Sequence, residues 1–369
     1  MIEYIAYVVV GFAVLRLLVS LANFLFRESL PKHPLVTDAD ERSVSILIPA
    51  RNEATNIGNI LSDLKQMPDK SIGEIIVFDD LSEDDTAEIV LKHALEDPRL
   101  RLIRSSSLPE GWVGKSHGCH HLAQEAKGDY LLFLDADVRV QPAFVDRALS
   151  YMKRKKVDLL SLFPTQEMKT LAEQMTVPNM HIILLTLLPL PLVRLSGFSS
   201  LSAANGQCML FHRATYDTLR PHEVYRHSKA EDIDIARFFK SLKRNVSCLR
   251  GDAGIYCRMY NDLRSAINGF AKNVTYFFGS GNSYLSAGLY WLLTTFGVVA
   301  VAHALPSVYL WGYVAAVVLS RLFVSLTARQ SPLLNVLLII PQQLMLGAFI
   351  LRSWLNKRKR SFEWKGRTL

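Results

Sequence analysis

The sequence predicts an α/β protein, a Rossmann-like, doubly wound and mostly parallel sheet, with transmembrane helices at its N- and C-terminal ends. Between residues 43 and 163, short apolar runs alternate with segments whose apolar residues recur at helical spacing. One run, Tyr130–Asp135, holds five apolar residues in six, as a strand covered on both faces requires. Apolar residues also crowd 1–26 and 284–355, while 40–260 has ordinary globular texture.

The 369 residues suffice for one large domain with appendages, or for two domains. Lys and Arg outnumber Asp and Glu by 42 to 34, a formal charge of +8. Part of that excess flanks apolar spans, as at Lys357-Arg358-Lys359-Arg360, which favours an anionic membrane leaflet over a nucleic acid. Cys119, Cys208, Cys248 and Cys257 show no metal-binding spacing and read as reduced, buried thiols.

Residues 4–26 carry one charge, Arg16, and are long enough to span a bilayer. An arginine near mid-span costs about 3 kcal/mol on an insertion scale, so Arg16 is expected to face other helices or to snorkel. The segment lacks a basic leader and a small-residue cleavage site, and reads as a retained anchor over 1–30. Strands are expected at 43–49, 74–78, 100–103, 130–134 and 158–163. Helices are expected around Ile57–Leu64 and at 86–95, 116–126 and 143–152. The run His181–Val193 is too short to span. Its two prolines favour a segment on the membrane surface, within about 176–200, with a core helix as the alternative. Globular texture resumes with strands at 207–211 and 246–249 and a helix at 232–242, closing a cytosolic domain over 40–283.

The remaining 284–369 form a membrane region with a basic tail. Spans at 288–304 and 307–327 go out and back, with Arg321 and Arg329 toward the returning end. The stretch 332–354 is interrupted by Pro341-Gln342-Gln343. It is expected to re-enter or lie along the cytosolic leaflet, which keeps the basic tail inside.

The chemistry gathers at strand ends, where open α/β sheets bind ligands. Asp135 and Asp137 follow the central strand; they are either turn residues or holders of a hard divalent cation. The first strand runs into Pro49-Ala-Arg51-Asn52-Glu53 and the second into Asp79-Asp80-Leu-Ser82, each ahead of a helix. Asn52 and Asp84 or Asp85 suit helix caps, whereas Asp79 and Asp80 sit where a ribose hydroxyl or a base N–H is accepted. Gly111-Trp-Val-Gly-Lys115 lacks the first glycine of a P-loop, since Pro109 stands there. A nucleotidase is excluded, and Lys115 remains either a diphosphate ligand or part of a surface turn. Glu231 and Asp232 open a helix; they either complement its dipole or supply a general base.

In this order, Ala-Arg-Asn-Glu, Asp-Asp-x-Ser, Gly-Trp-x-Gly-Lys, Asp-Ala-Asp, Asn-Gly-Gln and Glu-Asp resemble family-2 glycosyltransferases of the GT-A fold. Among these the chain is most similar to membrane-bound carotenoid (diaponeurosporenoate-type) and hopene-associated enzymes. The likeness covers about 43–280 and the terminal Trp364-Lys-Gly-Arg367. It implies that Pro49, Arg51 and Glu53 line a uridine pocket, with Asp80 on the base and Asp135 on the ribose. Asp137, aided by Asp135, would hold Mg2+ or Mn2+; Asp232 would be the base, assisted by Glu231; Arg258 would steady the leaving diphosphate. The implied reaction is inverting transfer of one hexose from a UDP-sugar, UDP-glucose favoured, to a lipid acceptor at the bilayer, with no nucleic-acid partner. A Gln-x-x-Arg-Trp motif is missing, which speaks against processive polymerisation. The alternatives are a polyprenyl-phosphate hexosyltransferase, for which Arg194 and Arg226 are the cationic hints, and a catalytically silent scaffold of the same fold.

Overall fold

The computed structural model describes residues 1–279, 282–359, 363–364 and 367–368. The chain divides into two compact units. One comprises 28–165 and 193–258; the other comprises 1–27, 166–192 and 259–369. Residues 166–192 and 259–283 cluster with the apolar helices.

The first unit is built on strands β1 Val44–Ala50, β2 Ile72–Asp79, β3 Leu100–Arg104, β4 Tyr130–Leu134, β5 Val138–Val140, β6 Leu159–Phe163, β7 Thr165–Gln166, β8 Cys208–His212, β9 Val246–Arg250 and β10 Ile255–Cys257, β7 ending at the unit boundary. Seven form one sheet in the order β3-β2-β1-β4-β8-β6-β9. All pairs are parallel except those of β8, which runs antiparallel between β4 and β6. Ile57, Ile60, Leu61 and Leu64 all turn into the core from the helix Ile57–Lys65, as their spacing predicts.

Register sets the site. Ala50 pairs with Asp79 and Asp79 with Arg104, so three carboxyl ends finish level. Leu134 pairs with Cys208, and the Asp135 amide then donates to the Gln207 carbonyl at 3.1 Å. Beyond Asp137 the chain enters β5, antiparallel to β10, and then the helix Phe144–Lys155. The start of that helix is locked to the start of β2. Asp146 accepts from the Lys70 and Ser71 amides at 3.2 and 3.1 Å, and Asp69 accepts from the Ala143 and Asp146 amides at 2.8 and 2.9 Å.

In the second unit three helices are long and apolar enough to cross a membrane: Ile2–Leu25, Ser283–Ala304 and Ser307–Ala328. Ala6, Val9 and Ala13 of the first pack on Val301 of the second and on Tyr313 and Ala316 of the third. Gly297 permits the approach, since a Cβ there would come within 2.6 Å of Val9 Cγ1. The stretch expected at the membrane surface is, over Pro178–Leu187, a buried helix instead. Its Ile182 and Leu185 pack on Val324 and Ala328. Pro189 and Pro191 fall after the helix end and Pro178 at its start, where none of them breaks it.

The stretch 332–354 divides at Leu338, and not at Pro341, into Pro332–Leu337 and Ile339–Lys359. Pro341 occupies the first turn of the longer helix, where its missing N–H has no intrahelical partner to lose. Gln342 and Gln343 are buried and bonded: Gln342 Nε2 donates to Asn335 Oδ1 at 2.9 Å, and Gln343 Oε1 accepts from Thr294 and Thr295 at 3.2 Å. Arg360 of the basic tail, and Lys365 and Gly366 of the terminal motif, lie outside the described residues.

Asp146→Ala is expected to cost about 2–3 kcal/mol, because two backbone N–H groups lose a charged acceptor in the interior. Denaturant unfolding of the full chain in detergent measures this; a change below 0.5 kcal/mol, roughly that of a surface substitution, would refute the lock.

Candidate active site

The loops after β1 and β2 are knitted together. Arg51 is buried and donates from Nη1 to the carbonyls of Asp80 and Leu81 at 2.7 and 2.6 Å. It thereby holds the turn that carries Asp80. The Asp80 amide donates to the Ala50 carbonyl at 2.8 Å, and the Asn52 amide to Ser82 Oγ at 3.0 Å. Asn52 and Leu81 take left-handed backbone, φ 50° and 55°, a conformation costly enough to need these braces. Asp79 closes its own turn by accepting from the Ser82 amide at 3.1 Å. Asp85 is the N-cap of the helix Thr86–Ala94 without a side-chain cap bond, while Asp84 accepts from the Thr86 amide and joins the loops by accepting from the Ala54 amide, both at 3.1 Å. Pro49 is the penultimate residue of β1, and the Glu53 amide donates to Thr86 Oγ1 at 2.8 Å.

The acids expected to do chemistry converge on one cation. Lys115 lies in the first turn of the helix Gly114–Glu125, and its Nζ is 2.8 Å from Asp135 Oδ1 and 3.4 Å from Glu231 Oε1. It also donates to the Gly206 carbonyl at 3.2 Å. The Gly206 amide donates to Asp232 Oδ2 at 2.9 Å, and the Ile233 amide to Asp232 Oδ1 at 2.8 Å. A Cβ at residue 206 would stand 2.9 Å from Lys115 Nζ and displace the ammonium. Asp137 lies beside this group, with both oxygens 3.3 Å from Gln207 Nε2. Gln207 Nε2 is 3.1 Å from Cys257 Sγ, and Arg258 follows directly.

Charge and burial compete here. Burial raises the Asp135 pKa to about 7 despite the Lys115 ammonium, with Asp137 adding to the rise. Burial and then the Glu231 charge lift Asp232 to about 6. Asp137 is also raised, by burial and by Glu53, while hydrogen bonds from Cys257 and Gln207 oppose the rise. Burial works against the charge of Lys115, but Asp135 and Glu231 outweigh it and hold the pKa well above the usual lysine value.

Asp135 and Asp137 are hard oxygen donors crowded with too little positive charge, a set that fits Mg2+ or Mn2+. Among the described residues no group of three or more His, Cys, Asp or Glu could hold a metal by itself. Lys115 already balances Asp135, so Asp137 has the greater need.

Sequence reasoning missed Gln207 and Cys257 as parts of the site. Gln207 Oε1 is buried with no hydrogen-bond partner among the described residues, an acceptor in want of a donor. The polar triplet Asn205-Gly-Gln207 ahead of an apolar strand was the available signal. The cationic hints for an acceptor phosphate are otherwise engaged: Arg194 pairs with Glu28, and Arg226 Nε lies 3.2 Å from His227 Nε2.

The raised carboxylates make folding pH-dependent. Asp135 and Asp232 bind protons more tightly folded than unfolded, so stability falls as pH rises from the ordinary carboxylate range through about 6 to 7. Lys115→Met raises Asp135 further and should steepen that loss while leaving stability near pH 4 close to wild type. Denaturation midpoints of metal-free protein at pH 4 and 8 check this; parallel curves for the two proteins would refute it.

Residues 45–220 match the family model described as glycosyl transferase family 2. The 4,4'-diaponeurosporenoate glycosyltransferase of Staphylococcus haemolyticus (strain JCSC1435) is 26% identical over 242 residues, covering 63% of this chain and 61% of that protein. Its counterpart in Staphylococcus aureus (strain MRSA252) is 25% identical over 274 residues, covering 71% of this chain and 68% of that protein. Among solved structures, the mannosyltransferase PcManGT from Pyrobaculum calidifontis, in complex with GDP-Man and Mn2+, superposes with a TM-score of 0.57. It is 16% identical and covers 97% of this chain and 100% of its own. Sequence and fold agree: residues 45–220 match glycosyl transferase family 2, and the fold is of the GT-A type shared with PcManGT.

Proposed function

We propose that the protein is an inverting glycosyltransferase that moves one hexose from a UDP-sugar, UDP-glucose in preference, to a hydroxyl or carboxylate of a membrane lipid. The observation that carries this reading is Asp232. Its carboxylate is aimed by the Gly206 and Ile233 amides beside the Lys115–Asp135 pair, and its raised pKa suits a base working near neutrality. Three apolar helices and the diaponeurosporenoate relatives support a lipid acceptor, of carotenoid, terpenoid or glycolipid type. Basic residues flanking the spans support a catalytic unit on the cytosolic face, and the staphylococcal relatives support a bacterial membrane.

In this reading Arg51 and the loops bearing Pro49, Glu53, Asp79 and Asp80 seat the uridine, and Asp135 takes the ribose. When bound through Asp137 and Asp135, Mg2+ or Mn2+ would neutralise the donor diphosphate. The donor complex of PcManGT, solved with Mn2+, is in keeping with that. Lys115 and Arg258 stabilise charge on the departing UDP. Asp232, with Glu231 holding Lys115 in place, takes the acceptor proton, or orients the acceptor oxygen when it is already a carboxylate. That oxygen attacks the anomeric carbon from the face opposite the nucleotide, and with no second nucleophile in the scheme the configuration inverts.

Labelled UDP-glucose incubated with membranes and candidate lipids tests the activity; no labelled lipid under any acceptor would sink it. Asp232→Asn should keep donor affinity and lose transfer to a hydroxyl. The wild-type rate should rise as pH increases through about 6, where Asp232 sheds its proton, and then level off. A flat profile from pH 5 to 8, or an active Asn variant, would remove Asp232 as the base. Asp137→Asn should lower turnover on the order of a thousandfold with the fold intact. Wild-type rates for that variant in the presence of EDTA would dismiss the metal assignment.

A further inference from the structure

The three candidate spans each bury a polar group, within electrostatic range of one another. Arg16 comes from Ile2–Leu25, Tyr290 from Ser283–Ala304 and Arg321 from Ser307–Ala328. All three are buried, at 6%, 5% and 3% exposure, which rules out snorkelling to water. The Arg16 guanidinium carbon is 5.3 Å from the Tyr290 ring centroid. Arg321 is close enough to feel both the charge of Arg16 and the Tyr290 side chain.

Nothing negative balances them. Arg16 Nε donates to Thr186 Oγ1 at 3.2 Å, and Arg321 Nη1 donates to Gln342 Oε1. Both acceptors are neutral, and neither arginine forms an ion pair among the described residues. The Tyr290 hydroxyl is buried with no hydrogen-bond partner among the described residues. Two guanidiniums offer ten N–H donors, of which two are matched by these bonds. Cation–π contact with Phe12 and Tyr290 offsets part of the cost for Arg16. A buried charge without a counter-ion still costs several kcal/mol, and a second like charge within electrostatic range adds to it. Ionisable groups kept within spanning helices at such cost usually mark a ligand path.

From this convergence we infer that Arg16, Arg321 and Tyr290 form a binding site for an oxyanion, carboxylate or phosphate, carried on a membrane lipid. The planar guanidinium fork matches either anion, and the tyrosine adds a donor already stripped of water. The helices around the site turn Leu15, Leu18, Leu289, Phe296, Leu319 and Leu326 outward. An acyl or prenyl tail matches such faces, whereas a free ion gains nothing from them. The site lies wholly within the helical unit and needs no nucleotide sugar.

The test uses full-length protein in phosphatidylcholine nanodiscs without donor. Probes are oleate and phosphatidic acid, with methyl oleate and diacylglycerol as uncharged controls and inorganic phosphate as the tail-free anion. Binding is read by native mass spectrometry and by the shift in thermal midpoint. At least one anionic lipid should bind and stabilise, and the uncharged controls should not. Arg16→Gln and Arg321→Gln should each weaken binding about tenfold or more, and Tyr290→Phe, which keeps the packing, about three- to tenfold. If the arginine variants do not fold, the Tyr290→Phe affinity decides. Equal binding of methyl oleate, unchanged affinity in the variants, or a stability loss in the variants that is the same with and without lipid would overturn the site. An equal shift from millimolar inorganic phosphate alone would overturn its assignment to a lipid. Asp232→Asn should leave this binding unchanged, which separates the outcome from that of the transfer reaction.

Discussion

The Lys115 ammonium is the interaction on which the arrangement of the candidate active site depends. It touches the Asp135 carboxylate at the end of β4, Glu231 at the start of a helix, and the Gly206 carbonyl in the turn before β8. These segments are up to 116 residues apart in the chain (231 − 115), and each would otherwise bring uncompensated charge or dipole to the same volume. One cation lets the acids approach without both having to take up protons. The same turn that accepts from Lys115 at its carbonyl donates from its amide to Asp232. The lysine therefore aims the proposed base without touching it.

Burial decides how that cluster behaves. In water Asp135 and Asp232 would be ionised well below neutrality, and here one is raised to about 7 and the other to about 6. Neither shift comes mainly from the neighbouring acids; loss of solvent is the larger cause in each. A divalent cation arriving with a diphosphate would find carboxylates that gain by being neutralised. The unpartnered Gln207 Oε1 beside Asp137 adds an acceptor of the same kind.

The helical unit solves the opposite problem, an excess of buried positive charge and amide groups in apolar surroundings. Gln342 ties Asn335 and the Gln174 carbonyl together while accepting from Arg321. Gln343 binds Thr294 and Thr295. These amides anchor the first turn of the helix Ile339–Lys359 to its neighbours. They meet the hydrogen bonds of their neighbours but cannot supply a negative charge, and that shortfall distinguishes the Arg16–Tyr290–Arg321 group from ordinary helix glue.

The sequence by itself determined much. The strand at 130–134 was legible because a strand covered on both faces is apolar nearly throughout, and the helix at 57–65 because its apolar residues repeat every three or four positions. The acids at strand ends were legible because parallel sheets gather polar residues at one edge. Three spans were legible from length and apolarity. Tertiary structure alone decided the rest. That β8 runs antiparallel between β4 and β6 depends on pairing between distant residues, which local pattern does not encode. Pro178–Leu187 and a surface-lying segment share one composition, and only the presence of Val324 and Ala328 against it makes it a core helix. Arg194 is paired with Glu28, a partner that its sequence neighbourhood does not indicate; Arg16 is marked in the sequence by the cost of its position, and Arg321 only by its place toward the returning end of a span. Periodicity reports which face of an element is buried; it carries no information about which charge will be met there, because that neighbour comes from another part of the chain.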